Sequence, residues 1–370
     1  MRNRRWFRVL THVCRILFAL TFIASGFVKA IDPWGTALNI TNYLATYGIE
    51  SLKPYVMVLA IWLCGAELMM GCMLLCKVRI RLVSIFAVLS MIFFTTLTFL
   101  SATWMPVEDC GCFGEAVKLS PWQTFVKNLV LLPMALCIWW RYRPDRIFAF
   151  TTAELSLTVL FCTASMGLGI YSYYHLPLFD FLPYKVGVDI AAEMERARTE
   201  QADAEVVLVC RNRHTGRLRK FALKDKAWQN EKRWEWVDTR VSEESDNRVE
   251  PMILEFFISD ERGRDVTDSL LAVRGKLYMF CIARAGSEGD ACERRMRDAV
   301  ERAYAEGSSA VCLTPQVLHG ETYRSFAGSK AVRCYNIDAK TMKTMLRADF
   351  GVVVLTDGVI TDKRNCRDIR

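Results

Sequence analysis

The chain has 370 residues, a net charge of +8 and a hydrophobic content of 52%. This length allows two or three domains. The apolar residues are concentrated in residues 1–176, whereas residues 177–370 have the mixed composition of a soluble domain. Many basic residues flank the apolar runs, and clusters such as RNRHTGRLRK (211–220) are typical of a solvated face. The positive charge therefore does not indicate a nucleic-acid partner.

Five apolar runs are long enough to cross a bilayer, which takes about 20 helical residues. They predict a multi-pass membrane protein, with the lipid bilayer as a partner. No small-residue cleavage site follows the first run, so it does not fit a cleaved signal peptide. The runs cover residues 9–31, 54–76, 82–105, 121–140 and 148–176.

The basic residues predict the orientation. If all five runs span, the N-terminus and the loops 77–81 and 141–146 lie on one side and hold ten basic residues, whereas the opposite loops 32–53 and 106–120 hold two. Loops rich in Lys and Arg stay in the cytoplasm. We therefore expect an inner (cell) membrane protein with a cytoplasmic N-terminus and a periplasmic or other extracytoplasmic C-terminal domain.

The sequence CGCFG (110–114) places Cys110 and Cys112 in a predicted outside loop, where disulfides can form and persist. A Cys-x-Cys disulfide closes a small, strained ring, which favours a redox couple, and Gly111 permits the backbone angles of such a ring. Structural pairing with a cysteine of the soluble domain is a second interpretation. A zinc site is a third, but no histidine lies nearby to complete four ligands, and we predict no metal site.

A helix begins immediately after this loop. Ser120 is a candidate N-cap and Pro121 suits the first helical position. The helix amides would favour a thiolate in the loop, but the charged residues of the loop act in both directions. Lys127 and Asn128, about two turns into the helix, are expected to point into the bundle rather than toward lipid.

Two further charged residues lie in or beside apolar runs. Lys29 and Glu67 could form one shared internal site. Alternatively, Lys29 snorkels to the outer surface beside Asp32, and only Glu67 is buried. The sequence leaves both arrangements open.

Three segments resemble motifs of the DoxX-like membrane family, in particular its MauE-type branch. They are FIASGFVKAIDPWG (22–35), GAELMMGCMLL (65–75) and CGCFGEAVKLSPWQTFVKN (110–128). The resemblance covers about residues 10–140, and its most specific part is CGCFG followed by Trp122 and the Lys127-Asn128 pair. It implies a four-helix membrane bundle, a link to membrane redox chemistry, and help in maturing periplasmic disulfide-bearing enzymes of methylamine utilisation. It also implies that Cys110 and Cys112 correspond to the family's cysteine pair. The fifth span and the large C-terminal part depart from that family pattern.

The predicted domains are a four-helix membrane bundle (1–145), a fifth transmembrane helix (146–176), a linker with a small β-rich segment (177–252) and an α/β domain (253–370). From residue 276, strands and helices alternate, with a helix expected up to residue 328, and the chain ends in a hairpin with an Asp357-Gly358 turn. This order predicts a mixed sheet flanked by helices and resembles the thioredoxin fold.

The cysteines of this domain do not follow the thioredoxin pattern. Where a thioredoxin would carry Cys-x-x-Cys, this chain reads RAGSEGDACERR, with Cys292 alone. The domain is therefore expected to be a docking module or a one-cysteine partner of the membrane pair, without the activity of a Cys-x-x-Cys oxidoreductase. Cys366, in a basic tail, is expected to be free. Four cysteines in strand-like runs are expected to be buried in the core: Cys210, Cys281, Cys312 and Cys334.

Two classes of function remain. In the first, Cys110 and Cys112 form a membrane thiol–disulfide relay that exchanges with exported client proteins and passes electrons through the bundle. No bound cofactor is evident, and such a relay would use a quinone or another membrane electron acceptor. In the second, the chain is a non-enzymatic assembly or scaffold protein with a partner-binding outer domain. A transporter is less well supported, because no inverted repeat is visible.

Overall fold

The computed structural model describes most of the chain, which divides into two units. Unit 1 comprises Met1–Phe181, Arg347–Asp349 and Arg364–Ile369, and unit 2 comprises Leu182–Leu346, Phe350–Lys363 and Arg370. The described residues are 5–104, 111, 112, 114, 117, 119–143, 151–202, 206–213, 218–222, 225, 228, 233–241, 253, 256–283, 290–320 and 322–369.

Unit 1 is built from helices. Within the described residues, five helices are long and apolar enough to cross a membrane, which confirms the five predicted spans. A shorter helix, α2, and a 3-10 turn (Glu50–Tyr55) occupy the segment between the first two spans, where the sequence predicted only a loop. The helices are α1 (Arg5–Ile31), α2 (Pro33–Thr46), α3 (Val56–Cys76), α4 (Ile80–Thr103), α5 (Pro121–Tyr142) and α6 (Thr152–Tyr174).

A side chain caps the start of α5, the helix that follows the loop 106–120. The hydroxyl of Ser120 accepts a hydrogen bond from the backbone N–H of Gln123, and the Gln123 side chain accepts one from the Ser120 N–H. This capping box satisfies two backbone donors that the helix itself leaves unpaired. The predicted start of α5 is therefore confirmed.

The core of unit 1 is apolar and lies between α1, α3, α4 and α5. The stacked rings of Phe18 and Phe22, 4.4 Å apart, contribute to this core from α1. The outward side of the same helix exposes Val13, Leu17 and Leu20. Apolar residues on both the inner and the outer side of a helix suit a bundle surrounded by lipid.

One buried charged group joins α1 to the C-terminal end of α3. Nη1 of Arg15, which is only 6% exposed, donates to the carbonyl oxygens of Leu74 and Leu75, both at 2.6 Å. The last carbonyls of a helix have no partner inside the helix and carry its negative dipole end. Arg15 therefore satisfies both the hydrogen-bonding capacity and the charge at this end of α3.

Glycines allow α1 and α3 to approach very closely along their seam. A Cβ atom at Gly26 would overlap the backbone of Leu68, and one at Gly71 would lie 2.7 Å from the backbone nitrogen of Ile23. Small residues at helix contacts in membranes let backbones approach in this way. The α1–α3 seam therefore has no room for a side chain at either glycine.

Unit 2 contains helix α7 (Ile190–Ala202) and a small antiparallel sheet with the strand order β2-β1-β3. Leu208, Cys210 and Phe221 form the buried cluster of this sheet. The described residues of the predicted β-rich segment thus include a three-stranded sheet. The strands are β1 (Val206–Asn212), β2 (Leu218–Ala222) and β3 (Trp234–Val241).

The rest of unit 2 is built on a mixed sheet with the order β10-β9-β5-β6-β8-β4, in which β7 also pairs with β8. β5 and β8 each run parallel to β6, whereas β9 runs antiparallel to β5. The predicted mixed sheet is thus confirmed. Its elements are β4 (Ile258–Ser259), α8 (Thr267–Leu271), β5 (Lys276–Ile282), α9 (Asp290–Ala305), β6 (Ser309–Thr314), β7 (Tyr323–Arg324), β8 (Val332–Ile337), α10 (Ala339–Leu346), β9 (Phe350–Thr356) and β10 (Val359–Asn365).

The hairpin of β9 and β10 has the predicted turn. Asp357 and Gly358 both have positive φ angles, 50° and 85°. Two consecutive residues with positive φ are characteristic of the type I′ turn, whose twist matches that of the two strands. The Asp357 carboxylate also accepts a hydrogen bond from the N–H of Gly275 at 2.8 Å.

Two predictions for this domain are wrong. The expected helix up to residue 328 is absent from the described part of that segment, because Gly320, Ala327 and Gly328 have positive φ angles that interrupt a helix. Cys366 is disulfide-bonded and 7% exposed rather than free, and Cys292 is also disulfide-bonded. The spacing of cysteines along the sequence did not reveal that either residue is bonded.

We expect Gly71→Ala to lower the free energy of unfolding in detergent micelles by about 1–3 kcal/mol, because the new methyl group would overpack the seam. Gly167→Ala in α6 is the matched control, since a Cβ atom there meets no atom within 4 Å. Equal stability of the two variants would contradict this account of the seam.

Candidate functional site

A buried ion pair connects α1 and α3. The ammonium Nζ of Lys29 lies 2.9 Å from Oε1 and 2.8 Å from Oε2 of Glu67. The two residues are only 6% and 5% exposed. The alternative in which Lys29 reaches the outer surface beside Asp32 is therefore wrong, and the shared internal site is the arrangement that the structure shows.

The pair lies next to the close contact of the two helices. Gly26 precedes Lys29 by one turn on α1, and Gly71 follows Glu67 by one turn on α3. Because the glycines bring the two backbones together, side chains on either side of them can meet across the seam. This explains why the same short motifs contain both the small and the charged residues.

Ser25 connects this pair to the loop that contains the cysteines. Its Oγ lies 3.0 Å from Oε2 of Glu67 and 2.6 Å from the backbone carbonyl oxygen of Cys112. A hydroxyl has a single hydrogen to donate, so the carboxylate and the loop carbonyl compete for it. The position of Cys112 is thereby coupled to the charged pair.

The loop itself turns sharply at Gly111. This residue has φ +61°, and a Cβ atom here would overlap the side chain of Asn39 in α2. The N–H of Gly114 donates to the carbonyl of Gly111 at 3.2 Å, which closes a turn that contains Cys112. The positive φ and the contact with Asn39 together explain a glycine at this position. Cys110 lies outside the described residues, and its pairing with Cys112 stays a prediction.

A small cavity of about 30 Å³ lies beside the ion pair. Its lining combines charged, polar and apolar groups. This volume is sufficient for a water molecule. The lining residues are Thr21, Phe22, Ser25, Lys29, Glu67, Met91, Phe94, Cys112, Lys127, Asn128 and Leu131.

Lys127 and Asn128 reach this cavity from α5, as predicted. Asn128 is 3% exposed, and its Nδ2 lies 3.3 Å from the hydroxyl of Thr98 and 3.4 Å from the carbonyl of Phe94 in α4. These bonds fix the rotation of α5, so that Lys127 also lines the cavity. The capped start of α5 thus places two polar residues toward the inside of the bundle.

Two predicted site residues lie elsewhere. Trp122 is 55% exposed in the first turn of α5 and packs edge-to-face against Phe125. Asp32 caps α2 by accepting from the N–H of Gly35 and pairs with Arg347, 3.1 Å away. Neither residue lines the cavity.

Two residues at the site, Ser25 and Asn39, were not predicted from the sequence. Ser25 precedes Lys29 by one helical turn, and this spacing places both on the same face. Asn39 belongs to α2, which was itself not predicted. Helical spacing could therefore have predicted Ser25, whereas no sequence pattern predicted Asn39.

Comparison with known proteins covers the helical region. Residues 7–141 match the family model described as Methylamine utilisation protein MauE. With the five apolar helices, this match indicates a membrane protein whose α1–α5 region is similar to MauE. The matched residues include the whole cavity lining. Neither a curated protein nor a solved structure matches the chain.

Metal ligands do not cluster in the part of the chain that the structure describes. Among those residues, no group of three or more His, Cys, Asp or Glu side chains could hold a metal ion. The described lining of the cavity supplies a thiol, a carboxylate, ammonium groups, hydroxyls and an amide.

Breaking the ion pair should be costly. We expect Glu67→Met and Lys29→Met each to lower the free energy of unfolding by about 3–5 kcal/mol, because each leaves an uncompensated buried charge. The double variant should regain most of this loss, as both charges are then removed. Unfolding in detergent micelles measures each value.

The exposed pair of Glu50 and Lys53, 2.9 Å apart, is the control. Lys53→Met should cost no more than about 1 kcal/mol, because solvent screens such pairs. A double Lys29/Glu67 variant that is no more stable than the single variants would show that the two charges do not compensate one another.

Proposed function

We propose that this protein carries out thiol–disulfide exchange at the membrane, with Cys110 and Cys112 as the redox pair and exported proteins as clients. The observation that carries the proposal is the hydrogen-bonded connection from the loop carbonyl of Cys112 through Ser25 to the buried Lys29–Glu67 pair. In this proposal, Cys110 and Cys112 accept and pass on electrons as they alternate between dithiol and disulfide.

The free-energy cost of burying the charges of Lys29 and Glu67 supports the proposal that they belong to a functional site. Ionisable groups inside a membrane are expensive and are rarely kept without a role. Thiol–disulfide exchange requires a thiolate, and its formation requires a place for a proton. A water-sized cavity lined by Cys112, a carboxylate and ammonium groups supplies polar groups that can receive and return that proton.

The electron acceptor of such a cycle belongs to the same proposal. A quinone or another membrane electron acceptor would take the electrons from the cysteine pair. An alternative is that electrons pass only between Cys110/Cys112 and thiols of client proteins. This alternative needs no bound cofactor.

The proposed orientation has a cytoplasmic N-terminus and an extracytoplasmic C-terminal domain. It is supported by the distribution of basic residues between the loops. The disulfide bonds of Cys292 and Cys366 are a second line of support, because disulfides persist mainly in oxidising compartments outside the cytosol.

The C-terminal domain is proposed to be a thioredoxin-like docking module. The support is the strand pattern, in which β5 lies between the parallel β6 and the antiparallel β9, followed by the β9–β10 hairpin. The first helix after β5 carries a disulfide-bonded Cys292 where a Cys-x-x-Cys pair would be expected. A client would then bind this domain and exchange its thiols at the membrane loop.

The orientation can be tested with a membrane-impermeant maleimide. In intact spheroplasts, the reagent should label reduced Cys112, whereas Cys76 should be labelled only after lysis. Cys76 is a suitable control because it is free and exposed at the C-terminal end of α3. Labelling of Cys76 before lysis and of Cys112 only after it would reverse the orientation.

The redox function can be tested by trapping. In acid-quenched cells, Cys112→Ser should accumulate mixed disulfides through Cys110, or Cys110→Ser should do so through Cys112, because the resolving thiol is missing. Cys162→Ser, which removes a free cysteine of α6, should accumulate none.

If neither loop variant forms an adduct and both support growth as the parent does, the thiol-exchange proposal fails. A protein that then still co-purified with exported proteins would fit the assembly or scaffold alternative.

A further inference from the structure

The mixed sheet of unit 2 brings together two cysteines that lie far apart in the sequence. Cys312 in β6 and Cys334 in β8 are directly paired residues of two parallel strands. They are 1% and 5% exposed, and both are free thiols. Directly paired residues of neighbouring strands point to the same face of a sheet. The two thiols therefore lie side by side.

The backbone spacing of these residues is compatible with a disulfide. Neighbouring strands lie about 4.7–4.9 Å apart, within the Cα–Cα range of about 4.4–6.8 Å that disulfides span. Disulfides need a Cβ separation of about 3.5–4.5 Å, whereas directly paired residues of antiparallel strands are about 4.5–5.5 Å apart, so bond formation between β6 and β8 would draw the two Cβ atoms together. A bond here would be somewhat strained, and strained disulfides are more readily reduced.

We propose that Cys312 and Cys334 form a second dithiol–disulfide couple, which exchanges with disulfides of other proteins or of small thiols. This couple would stand in for the missing Cys-x-x-Cys pair of the domain. Cys312 and Cys334 are not part of the membrane site, so this proposal does not depend on the function proposed for Cys110 and Cys112.

The surroundings make the two thiols unequal. A hydrogen bond with Cys312 lowers the pKa of Cys334, and the nearby guanidinium of Arg324 acts in the same direction against the effect of burial. The pKa of Cys312 is raised by the same hydrogen bond and by its burial. Cys334 is also the more exposed of the two thiols, and we assign it as the attacking thiol and Cys312 as the resolving thiol.

Exchange with an incoming disulfide takes two successive attacks. The Cys334 thiolate attacks one sulfur of an incoming disulfide, whose S–S bond breaks and releases one thiolate. The Cys312 thiol then loses its proton to that thiolate and attacks Sγ of Cys334, which releases the second thiolate; this one takes up the proton that Cys334 lost to solvent. Two thiols of the domain are thereby oxidised, and one disulfide is reduced to two thiols.

Access to Cys334 requires opening of the sheet face that bears the two thiols. Direct strand pairing puts Phe280 on the same face as Cys312 and Cys334, and the ring of Phe326 packs against Phe280. Phe326 follows β7, an edge strand of two residues, and short edge strands with few hydrogen bonds open at a low free energy. Displacement of β7 and Phe326 would therefore admit a partner disulfide to this face without unfolding β5 or β9.

Cys281 is the matched internal control. It is a free thiol with 0% exposure in β5 of the same sheet. The residues paired with it are Leu313 in β6 and Gly351 in β9, so no cysteine lies opposite. Burial raises the pKa of Cys281 to about 12. It should remain a thiol under conditions that oxidise the proposed couple.

The test uses the full chain in detergent micelles, incubated with oxidised glutathione, followed by alkylation and tryptic mapping without reductant. Arg324 and Lys330 separate the two cysteines after digestion, so a Cys312–Cys334 bond joins two peptides. We expect this linked peptide in the parent chain and in Cys281→Ser. We expect Cys312→Ser to carry glutathione on Cys334 at a rate about tenfold higher than on Cys281.

The reciprocal variant keeps the test falsifiable if one substitution disturbs folding. Cys334→Ser should accumulate little glutathione on Cys312, because the attacking thiol is missing. Absence of the linked peptide in a parent chain that melts cooperatively would overturn the proposal. Equal modification of Cys281 and Cys334 in Cys312→Ser would also overturn it, since the adducts would then report unfolding.

Discussion

The close approach of α1 and α3 is the constraint on which the membrane site depends. Gly26 and Gly71 bring the two backbones together, and Lys29 and Glu67 meet within one helical turn of these glycines. Arg15 binds the last carbonyls of α3 at the other end of the same seam. The geometry of the charged site is therefore set by backbone packing, and the side chains need little freedom to find one another.

The ion pair itself is a poor explanation for stability. Replacing both members of a buried pair with apolar residues of similar size is often neutral or stabilising, because desolvation offsets the attraction of the charges. Stability alone would thus not require Lys29 and Glu67 at this seam. What the pair does have is a hydrogen-bonded connection through Ser25 to the backbone of Cys112, and a small cavity beside it.

Features set by neighbouring residues were predictable from the sequence. The five apolar spans, the Ser120 cap of α5 and the Asp357-Gly358 hairpin each follow from a local pattern, and the structure confirms them. The inward orientation of Asn128 also followed from a local argument, since a polar residue in a span avoids lipid. Such features need only helix periodicity, capping or turn chemistry.

Features set by distant residues were not predictable. Whether Lys29 reached Glu67 or the membrane surface depended on the seam, and the sequence left both alternatives open. The disulfide bond of Cys366 and the pairing of Cys312 with Cys334 depend on which segments the fold brings together. The helix expected up to residue 328 failed for another reason, because positive φ angles at Ala327 and Gly328 override a helix-compatible composition.

The missing Cys-x-x-Cys motif is weak evidence against thiol chemistry in this protein. That motif serves to place a thiolate beside a second thiol and a positive electrostatic environment. In the mixed sheet, strand pairing places Cys312 beside Cys334, and the guanidinium of Arg324, which is ion-paired with Glu293, lies nearby. At the membrane loop, Cys112 lies at a cavity that two lysines also line. The chemical requirements of a reactive thiol can thus be met by residues that no short sequence motif connects, and tertiary contacts are the proper evidence for them.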